Sequence, residues 1–408
     1  MSSAQRKIEY RFNPFDYGFH ADPKAVYRLL REHSPVNYNP QLKLYALSRH
    51  ADVARALRED HIYSFCHSDT YEVLHAERFE EMVGFFCQDA PGHNRQRQLS
   101  GRPFTPQKAE AVRPLIDRLC EQQLDQVLFH ALDRREAIDV MDNIAGPLSM
   151  AIIAELIGFP KDAHDSIRRW IDLTVARDNG DSTVRPEALA ASEQLLAFLH
   201  EFWATRCIQP GQPATIIDHL IDTVGAGLLP KKHGISLLWA LCFAGQEATA
   251  KALGNALYQA QRHDLIQVLH ECPHLLDDFI REVLRFDSPA QIVYRTLLHD
   301  DTLHRMRMKK GSRIALILGS ANTDERAFGP DAGLFRPERP SSAALLNFGW
   351  GTHYCLGKHL GMVELSACLR QFFRRIRNYR IDLDKAERAH TSTVHGFSRL
   401  PLQTIEPA

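Results

Sequence analysis

Residues 230–263 form a long run that no proline interrupts after Pro230. Its central part reads ISLLWALCFAGQEATAKALGNALYQA, in which apolar and small residues dominate. This pattern predicts a helix buried in the core of the protein. At 1.5 Å per residue, the helix would be roughly 45 Å long, so the rest of the chain must pack around it. Its most apolar part, residues 235–245, is too short to span a bilayer.

Apolar periodicity predicts further helices and a smaller set of strands. The predicted helices cover residues 22–32, 51–58, 109–132, 141–157, 192–206 and 275–286. The predicted strands cover residues 43–47, 291–298, 313–318, 379–383 and 400–405. We found no internal repeat and no low-complexity linker. The prediction is therefore a mainly α fold with a small, mostly antiparallel β region, and a single domain over residues 1–408.

Charge and cysteine usage exclude several classes of protein. The chain has 49 Lys and Arg against 50 Asp and Glu, which argues against binding nucleic acid or a membrane surface through bulk charge. The N-terminal residues contain no apolar run, so we expect neither a signal peptide nor a membrane anchor. Eight scattered cysteines form no C-x-x-C pair, which is typical of reduced thiols in a cytoplasmic protein.

The most informative cysteine is Cys355, in the segment Phe-Gly-Trp-Gly-Thr-His-Tyr-Cys-Leu-Gly at residues 348–357. Gly349 and Gly351 permit a tight loop. A helical pattern follows the segment, and a cysteine at a helix N-terminus is stabilised as a thiolate by unpaired amides and the helix dipole. Gly357 lets the backbone approach a flat ligand closely. The residues therefore suit a thiolate ligand to a metal.

This segment resembles the haem-binding signature of the cytochrome P450 family, F-G-x-G-x-H-x-C-x-G, at every fixed position. The resemblance implies that Cys355 is the axial ligand of haem b, that His353 lies beside a propionate, and that Phe348, Gly349 and Gly357 contact the cofactor. A thiolate ligand favours cleavage of the O–O bond. The implied activity is that of a monooxygenase, which inserts one oxygen atom from O2 into a small or medium organic molecule. We expect this substrate to have both a ring and a polar group.

Three upstream segments extend the resemblance. His93 and Arg97 lie at i,i+4 spacing and match the family residues that hold the haem propionates, since arginine binds carboxylates bidentately. Arg295 matches another propionate ligand. Glu282 and Arg285 match the family's E-x-x-R pair, for which we predict a structural role.

The middle of the long helix resembles the family's oxygen-activation motif, usually A-G-x-E/D-T-T. Here it reads Ala244-Gly245-Gln246-Glu247-Ala248-Thr249. Ala244 and Gly245 are expected to leave space above the haem, and Glu247 is expected to supply protons. The usual threonine after the acid is Ala248, with Thr249 one place later. Either a substrate hydroxyl or a water replaces the lost hydroxyl, or Thr249 takes over its role, or the enzyme catalyses an atypical oxidation such as coupling, desaturation or dealkylation.

The chain contains no nucleotide-phosphate loop, so electrons are expected from a separate ferredoxin or flavodoxin with its NAD(P)H reductase. A non-catalytic haem sensor or carrier is the alternative from another class. The arginines considered for a docking patch are Arg95, Arg102, Arg374, Arg375 and Arg377. The residues expected by family analogy to line the substrate pocket are Tyr63, Phe65, His67, Phe85, Gln246, Gln291, His395 and Phe397.

Overall fold

The computed structural model describes residues 10–66, 81–82, 84, 87–209, 215–340 and 343–408. Helices dominate these residues. The α-helices are α1 Tyr17–Ala21, α2 Pro23–His33, α3 His50–Arg58, α4 Gly92–Ser100, α5 Pro106–Ala111, α6 Arg113–Leu128, α7 Gly146–Ile157, α8 His164–Val175, α9 Pro186–Ile208, α10 Ile216–Gly225, α11 Lys231–Arg262, α12 Ile266–Glu271, α13 Leu276–Phe286, α14 Leu318–Ala321, α15 Glu325–Phe328 and α16 Lys358–Arg375.

The long run of the sequence is one helix, as predicted. Helix α11 begins directly after Pro230, whose fixed φ suits a helix start, and ends at Arg262 after 32 residues. It contacts α7, α9, α10, α13 and α16. Since most of its central side chains are buried, α11 is the element around which the other helices pack.

Two predicted helices are interrupted where proline stands near a helix start. The predicted helix over residues 109–132 divides at Val112, with Pro114 in the first turn of α6, and ends in a π-helical turn Phe129–Asp133. The predicted helix over residues 141–157 begins as a π-helical turn Val140–Ala145, and Pro147 opens α7. Proline lacks the N–H that the preceding turn would need, so the regular hydrogen-bond ladder restarts at each site.

The β region is small and mostly antiparallel, as predicted. The strands are β1 Val36–Asn39, β2 Leu44–Leu47, β3 Tyr63–Ser64, β4 Ile292–Leu297, β5 Asp301–Leu303, β6 Met306–Met308, β7 Arg313–Ile317, β8 Ile376–Ile381, β9 Glu387–Arg388, β10 Phe397–Arg399 and β11 Leu402–Pro407. Five of them form a sheet in the order β1-β2-β7-β4-β3, in which β2 and β7 are parallel. The pairs β8–β11, β9–β10 and β5–β6 form antiparallel ribbons.

Apolar side chains cover both faces of the five-stranded sheet. Along β7, Ile314 and Leu316 pack into one cluster, and Ala315 and Ile317 pack into another, as the alternation of a strand requires. The largest cluster surrounds α11, α7 and α16. Within the described residues, Val140–Ile157 is the one stretch apolar and long enough to cross a membrane, and 67% of it is buried inside the protein.

Candidate functional site

The loop that carries Cys355 is shaped by two glycines with positive φ. Gly349 has φ 71° and Gly351 has φ 76°, a region that disfavours residues with a Cβ. A Cβ on Gly351 would also lie 2.7 Å from the carbonyl oxygen of Leu57. The loop closes through a hydrogen bond from the Cys355 amide to the carbonyl of Phe348, at 2.8 Å. Cys355 is thereby fixed three residues before α16.

The electrostatics of Cys355 suit a metal ligand. Burial raises the pKa of the Cys355 thiol, while the amides of Gly357 and Lys358 and the guanidinium of Arg97 act in the opposite direction. The two amides and the positive charge of Arg97 would stabilise the negative charge of a thiolate. A coordinated metal ion would supply the remaining positive charge and remove the thiol proton.

Cys355 is accessible to solvent, although protein atoms surround its thiol closely enough to raise its pKa by desolvation. A Cβ added to Gly357 would meet no atom within 4 Å. The loop therefore leaves room for a flat group against its backbone.

Ala244 is exposed although it lies in the middle of α11, between the buried stretches 234–242 and 252–257. Ala248 lies one turn later on the same face and is half-buried. The small side chains of Ala244 and Ala248 leave room beside this face of the helix. Exposed Ala244 and exposed Cys355 are compatible with a haem bound between α11 and the cysteine loop.

Four basic side chains assigned to the propionates are brought together with Phe65. The rings of His93 and His353 have centroids 3.9 Å apart, and Phe65 stacks on His353 at 4.4 Å. The guanidinium of Arg295 lies 4.3 Å from the Phe65 ring. Arg97 donates a hydrogen bond to the carbonyl of Tyr354 and so joins the group to the cysteine loop. Phe65 was expected only in the substrate pocket; its place in this cluster had no sequence signal.

The basic side chains of this cluster repel one another, and a bound anion would relieve the repulsion. Burial, followed by repulsion from His93, Arg295 and Arg97, lowers the pKa of His353 to about 2. Burial and Arg97 also lower the pKa of His93. Neither ring nitrogen of His353 makes a hydrogen bond of normal geometry within the described part of the chain, although the backbone of Gln88 lies close. Carboxylates such as haem propionates would satisfy these groups.

Gly245 was expected to leave space above the haem, but in the structure it allows a close contact between two helices. Its missing side chain points towards Ile153 of α7, because a Cβ would lie 2.7 Å from Ile153 Cγ1. The glycine lets α7 and α11 approach closely. Space above a cofactor comes from Ala244 and Ala248 instead.

Glu247 and Thr249 are buried, and Glu247 lines a side cavity of about 330 Å3. Lys251, Asp172 and His390 also line this cavity. Burial raises the pKa of Asp172, and the positive charge of Lys251 offsets part of this increase. Glu247, which was expected to supply protons, therefore lies where this cavity meets α11.

Four of the residues expected in the substrate pocket have structural partners instead. Tyr63 donates a hydrogen bond to the Asp301 carboxylate, and Gln291 donates to the Tyr27 hydroxyl at 2.7 Å. His395 pairs with buried Asp287 at 3.0 Å, and Phe397 packs on Tyr258. For these four residues, contact with substrate stays a prediction. His67 and Phe85 lie outside the described residues, and Gln246 is buried on α11.

The predicted E-x-x-R pair holds the irregular segment before the cysteine loop. Glu282 and Arg285 form a buried bidentate ion pair, with both N···O distances at 2.7 Å. Arg285 also donates to the carbonyls of Ala332 and Leu334, and Glu282 accepts from the Arg336 amide. The pair is structural because it fixes the backbone of residues 332–336.

Beside the cysteine loop, the protein surface has a groove of about 930 Å3, which is lined by Trp350, Tyr354, Lys358 and Arg370 among others. The basic patch proposed from the sequence is reduced here. Arg374 pairs with Glu121 and Arg375 pairs with Asp125, so these two arginines carry little excess charge. Lys358 and Arg370 have no ion-pair partner within the described residues and were missed because their position beside the groove depends on tertiary structure.

Comparison with known proteins matches this geometry to one family. The family model described as "Cytochrome P450" matches residues 190–404. A putative cytochrome P450 123 of Mycobacterium tuberculosis is 33% identical over 399 residues, covering 97% of each chain. The polyketide biosynthesis cytochrome P450 PksS of Bacillus subtilis is 27% identical, over 88% of this chain and 91% of the relative.

Solved structures share the fold. The cytochrome P450 CYP109E1 of Bacillus megaterium, in complex with testosterone, superimposes with a TM-score of 0.85 at 23% identity. The match covers 95% of this chain and 99% of that one. Cytochrome P450 CREJ, in complex with (4-ethylphenyl) dihydrogen phosphate, superimposes with a TM-score of 0.86 at 24% identity, over 96% and 98% of the two chains.

Proposed function

This chain belongs to the cytochrome P450 family of haem monooxygenases, and we propose that Cys355 is the axial thiolate ligand of its haem b. The observation that carries the proposal is the cluster of His93, Arg97 and Arg295 around His353, which Arg97 joins to the loop of Cys355. A haem with a thiolate ligand supplies the activation of O2. The substrate then receives one oxygen atom.

The cofactor is held by residues from four parts of the chain. The basic group of His93, Arg97, Arg295 and His353 binds the propionates. Phe348, Gly349 and Gly357 form the surface of the cysteine loop against the macrocycle, and Ala244 gives the macrocycle room on the α11 side. Gly245 acts indirectly, by setting the distance between α11 and α7.

Glu247 lines the side cavity and directly precedes Ala248 on α11. We propose that Glu247 passes protons from the cavity, and that a substrate hydroxyl or an ordered water occupies the place of the hydroxyl that Ala248 lacks. This proposal predicts that Ala248→Thr keeps activity. Thr249→Ala is expected to lower product formed per NAD(P)H consumed. An unchanged ratio in Thr249→Ala would exclude Thr249 from proton delivery.

The substrate is proposed to be a small or medium natural product with a ring and a polar group. Two comparisons support this size class: PksS is named for polyketide biosynthesis, and CYP109E1 binds testosterone in its solved structure. An atypical oxidation is the second candidate, because Ala248 departs from the usual motif. Product analysis by mass spectrometry separates the two, since monooxygenation adds one oxygen atom and desaturation removes two hydrogens.

Electrons are proposed to come from a ferredoxin or flavodoxin with its NAD(P)H reductase, in the cytoplasm. The groove beside Trp350 lies next to the cysteine loop. Asp117 and Asp277 line it as well as Lys358 and Arg370, so the contact with an acidic partner is assigned to the two basic side chains alone. Arg370→Glu should lower turnover with the partner but spare turnover driven by peroxide. Arg374→Glu is the control, since Glu121 already pairs with that guanidinium. Equal losses of both activities in Arg370→Glu would remove the docking role.

The ferrous-CO difference spectrum of the purified protein tests the central assignment. Thiolate ligation gives a strongly red-shifted Soret band, and Cys355→Ser should abolish it. A band typical of histidine ligation would mean that the assigned ligand is wrong. A protein that shows the red-shifted band but forms no product with any redox partner would support the sensor or carrier alternative.

A further inference from the structure

Phe65, which directly follows β3, contacts two of the basic side chains assigned to the propionates. The guanidinium carbon of Arg295 lies 4.3 Å from the centre of the Phe65 ring. The ring of His353 lies 4.4 Å from the same ring, and the two planes differ by only 17°, so the rings are stacked. His93 contacts His353 in turn, with the ring centroids 3.9 Å apart. Phe65 thus connects β4 with the cysteine loop and, through His353, with α4.

The contact between Phe65 and Arg295 follows from the pairing of β3 with β4. The two strands are antiparallel, and Ser64 is the last residue of β3 in the ladder, where it pairs with Thr296. One further step of this register places Phe65 opposite Arg295. Side chains that stand opposite each other on antiparallel strands are close enough to interact. The sheet therefore brings the aromatic ring to the guanidinium.

Asp89 joins the segment of Phe65 to α4. Its carboxylate accepts a hydrogen bond from the Phe65 amide at 3.0 Å and another from the Ser64 hydroxyl. Its carbonyl accepts a hydrogen bond from the His93 amide at 3.1 Å, in the first turn of α4. Phe65 is therefore fixed by its backbone to the helix that also carries Arg97.

The contacts of Phe65 oppose the mutual repulsion of the basic side chains. His93, Arg97 and Arg295 all repel positive charge at His353, so these groups would turn away from one another if nothing held them. A guanidinium is attracted to the face of an aromatic ring, and stacked rings attract each other as well. Phe65 makes both contacts at once. Side chains that are already held in place lose less conformational freedom when a ligand binds, which favours binding.

We infer that Phe65 is a positioning residue for the haem propionates, because it holds Arg295 and His353 in place for carboxylates and thereby slows loss of the cofactor. The inference rests on the proposed function, since the two basic side chains have this role only if the chain binds haem. The side chain of Phe65 has no hydrogen-bond donor, so it acts through its two neighbours.

The rate of haem loss from the purified holoprotein tests this role, and it is measured by transfer of the haem to an excess of apomyoglobin. Phe65→Leu removes the aromatic ring and keeps an apolar side chain, so haem loss should be roughly 3- to 10-fold faster. Phe65→Tyr keeps the ring and should lose haem at the wild-type rate. Phe159→Leu is the matched control, since Phe159 packs on Phe198 and Phe202 in the core, and it should also keep the wild-type rate. If Phe65→Leu yields no holoprotein, Phe65→Met repeats the test with a flexible apolar side chain.

A double-mutant cycle distinguishes positioning from simple packing. Arg295→Gln alone should also speed haem loss. In the double variant, the combined effect should be smaller than the product of the two single effects, because Phe65→Leu has less left to disturb once the guanidinium is gone. Effects that multiply would overturn the inference, as would a wild-type rate in Phe65→Leu or equal acceleration in Phe65→Tyr or Phe159→Leu. Failure of the wild-type protein to bind haem would instead refute the proposed function.

Discussion

Glu282→Gln is expected to destabilise the protein by about 3–5 kcal/mol, the usual cost of removing one partner of a buried ion pair. The substitution conserves the size of the side chain. It leaves the guanidinium of Arg285, which is 2% exposed, without its counter-charge. Arg339 Nε also lies 3.7 Å from Glu282, but Arg339 keeps its ion pair with Asp331 at 2.7 Å, so the loss falls mainly on Arg285.

A matched exposed pair lies on the same helix. Asp278 and Arg281 of α13 also stand at i,i+3 spacing, with an N···O distance of 2.8 Å, but they are 48% and 44% exposed. Solvent screens such a pair, so Asp278→Asn is expected to cost about 1 kcal/mol or less. The comparison separates the effect of burial from the effect of the helical spacing.

Urea denaturation followed by circular dichroism measures both variants, with the free energy taken from the shift in midpoint at a common m-value. All proteins should carry the same haem load, because a bound cofactor raises apparent stability. The reasoning is refuted if Asp278→Asn costs as much as Glu282→Gln, or if Glu282→Gln shifts the midpoint no more than a surface substitution does.

Three further predictions follow from packing and burial. Gly351→Ala should lower the haem content of the purified protein, because φ at this position is 76° and the new Cβ would meet Leu57. Soret absorbance per protein measures the haem content. Gly361→Ala is the control and should leave the haem content unchanged, because a Cβ there meets nothing within 4 Å. Gly245→Ala should lower the urea midpoint, and Ile153→Ala in the same chain should recover part of the loss, since the new Cβ meets Ile153. Burial raises the pKa of Glu364 to about 8, so the contribution of Glu364 to stability should fall as pH rises from 4.5 to 8. Relative to the wild type, Glu364→Gln should therefore be more stable at pH 8 and differ little at pH 4, as measured by urea denaturation at both pH values.

The sequence allowed the central helix and the cysteine loop to be predicted because both depend on local rules. Proline ahead of an uninterrupted run set the start of α11, and the glycines at 349 and 351 set the loop. The resemblance to a family then brought His93, Arg97 and Arg295 to the same site. These side chains lie near His353 in the structure, and their role in holding a cofactor stays a prediction.

Contacts between distant segments could not be predicted in this way. The position of Phe65 on His353 depends on how β3 approaches the cysteine loop. Gly245 has no room for a side chain because Ile153, on another helix, lies against it. His395 was expected to touch substrate, and it pairs with Asp287, because a polar residue looks the same in sequence whether its partner is a ligand or a carboxylate. In each case the deciding partner is far away in the chain.

The order of strands in the five-stranded sheet has a consequence for synthesis of the protein. Leu44 pairs with Arg313, and Tyr63 pairs with Leu297, so β2 and β3 leave the ribosome long before these partners, whereas β1 can pair with β2 at once. Until the partners emerge, the open strand edges and apolar faces promote aggregation. Helices α7 and α11 can pack earlier, because the segments between them are helical too. Lower growth temperature is therefore expected to increase the yield of folded protein.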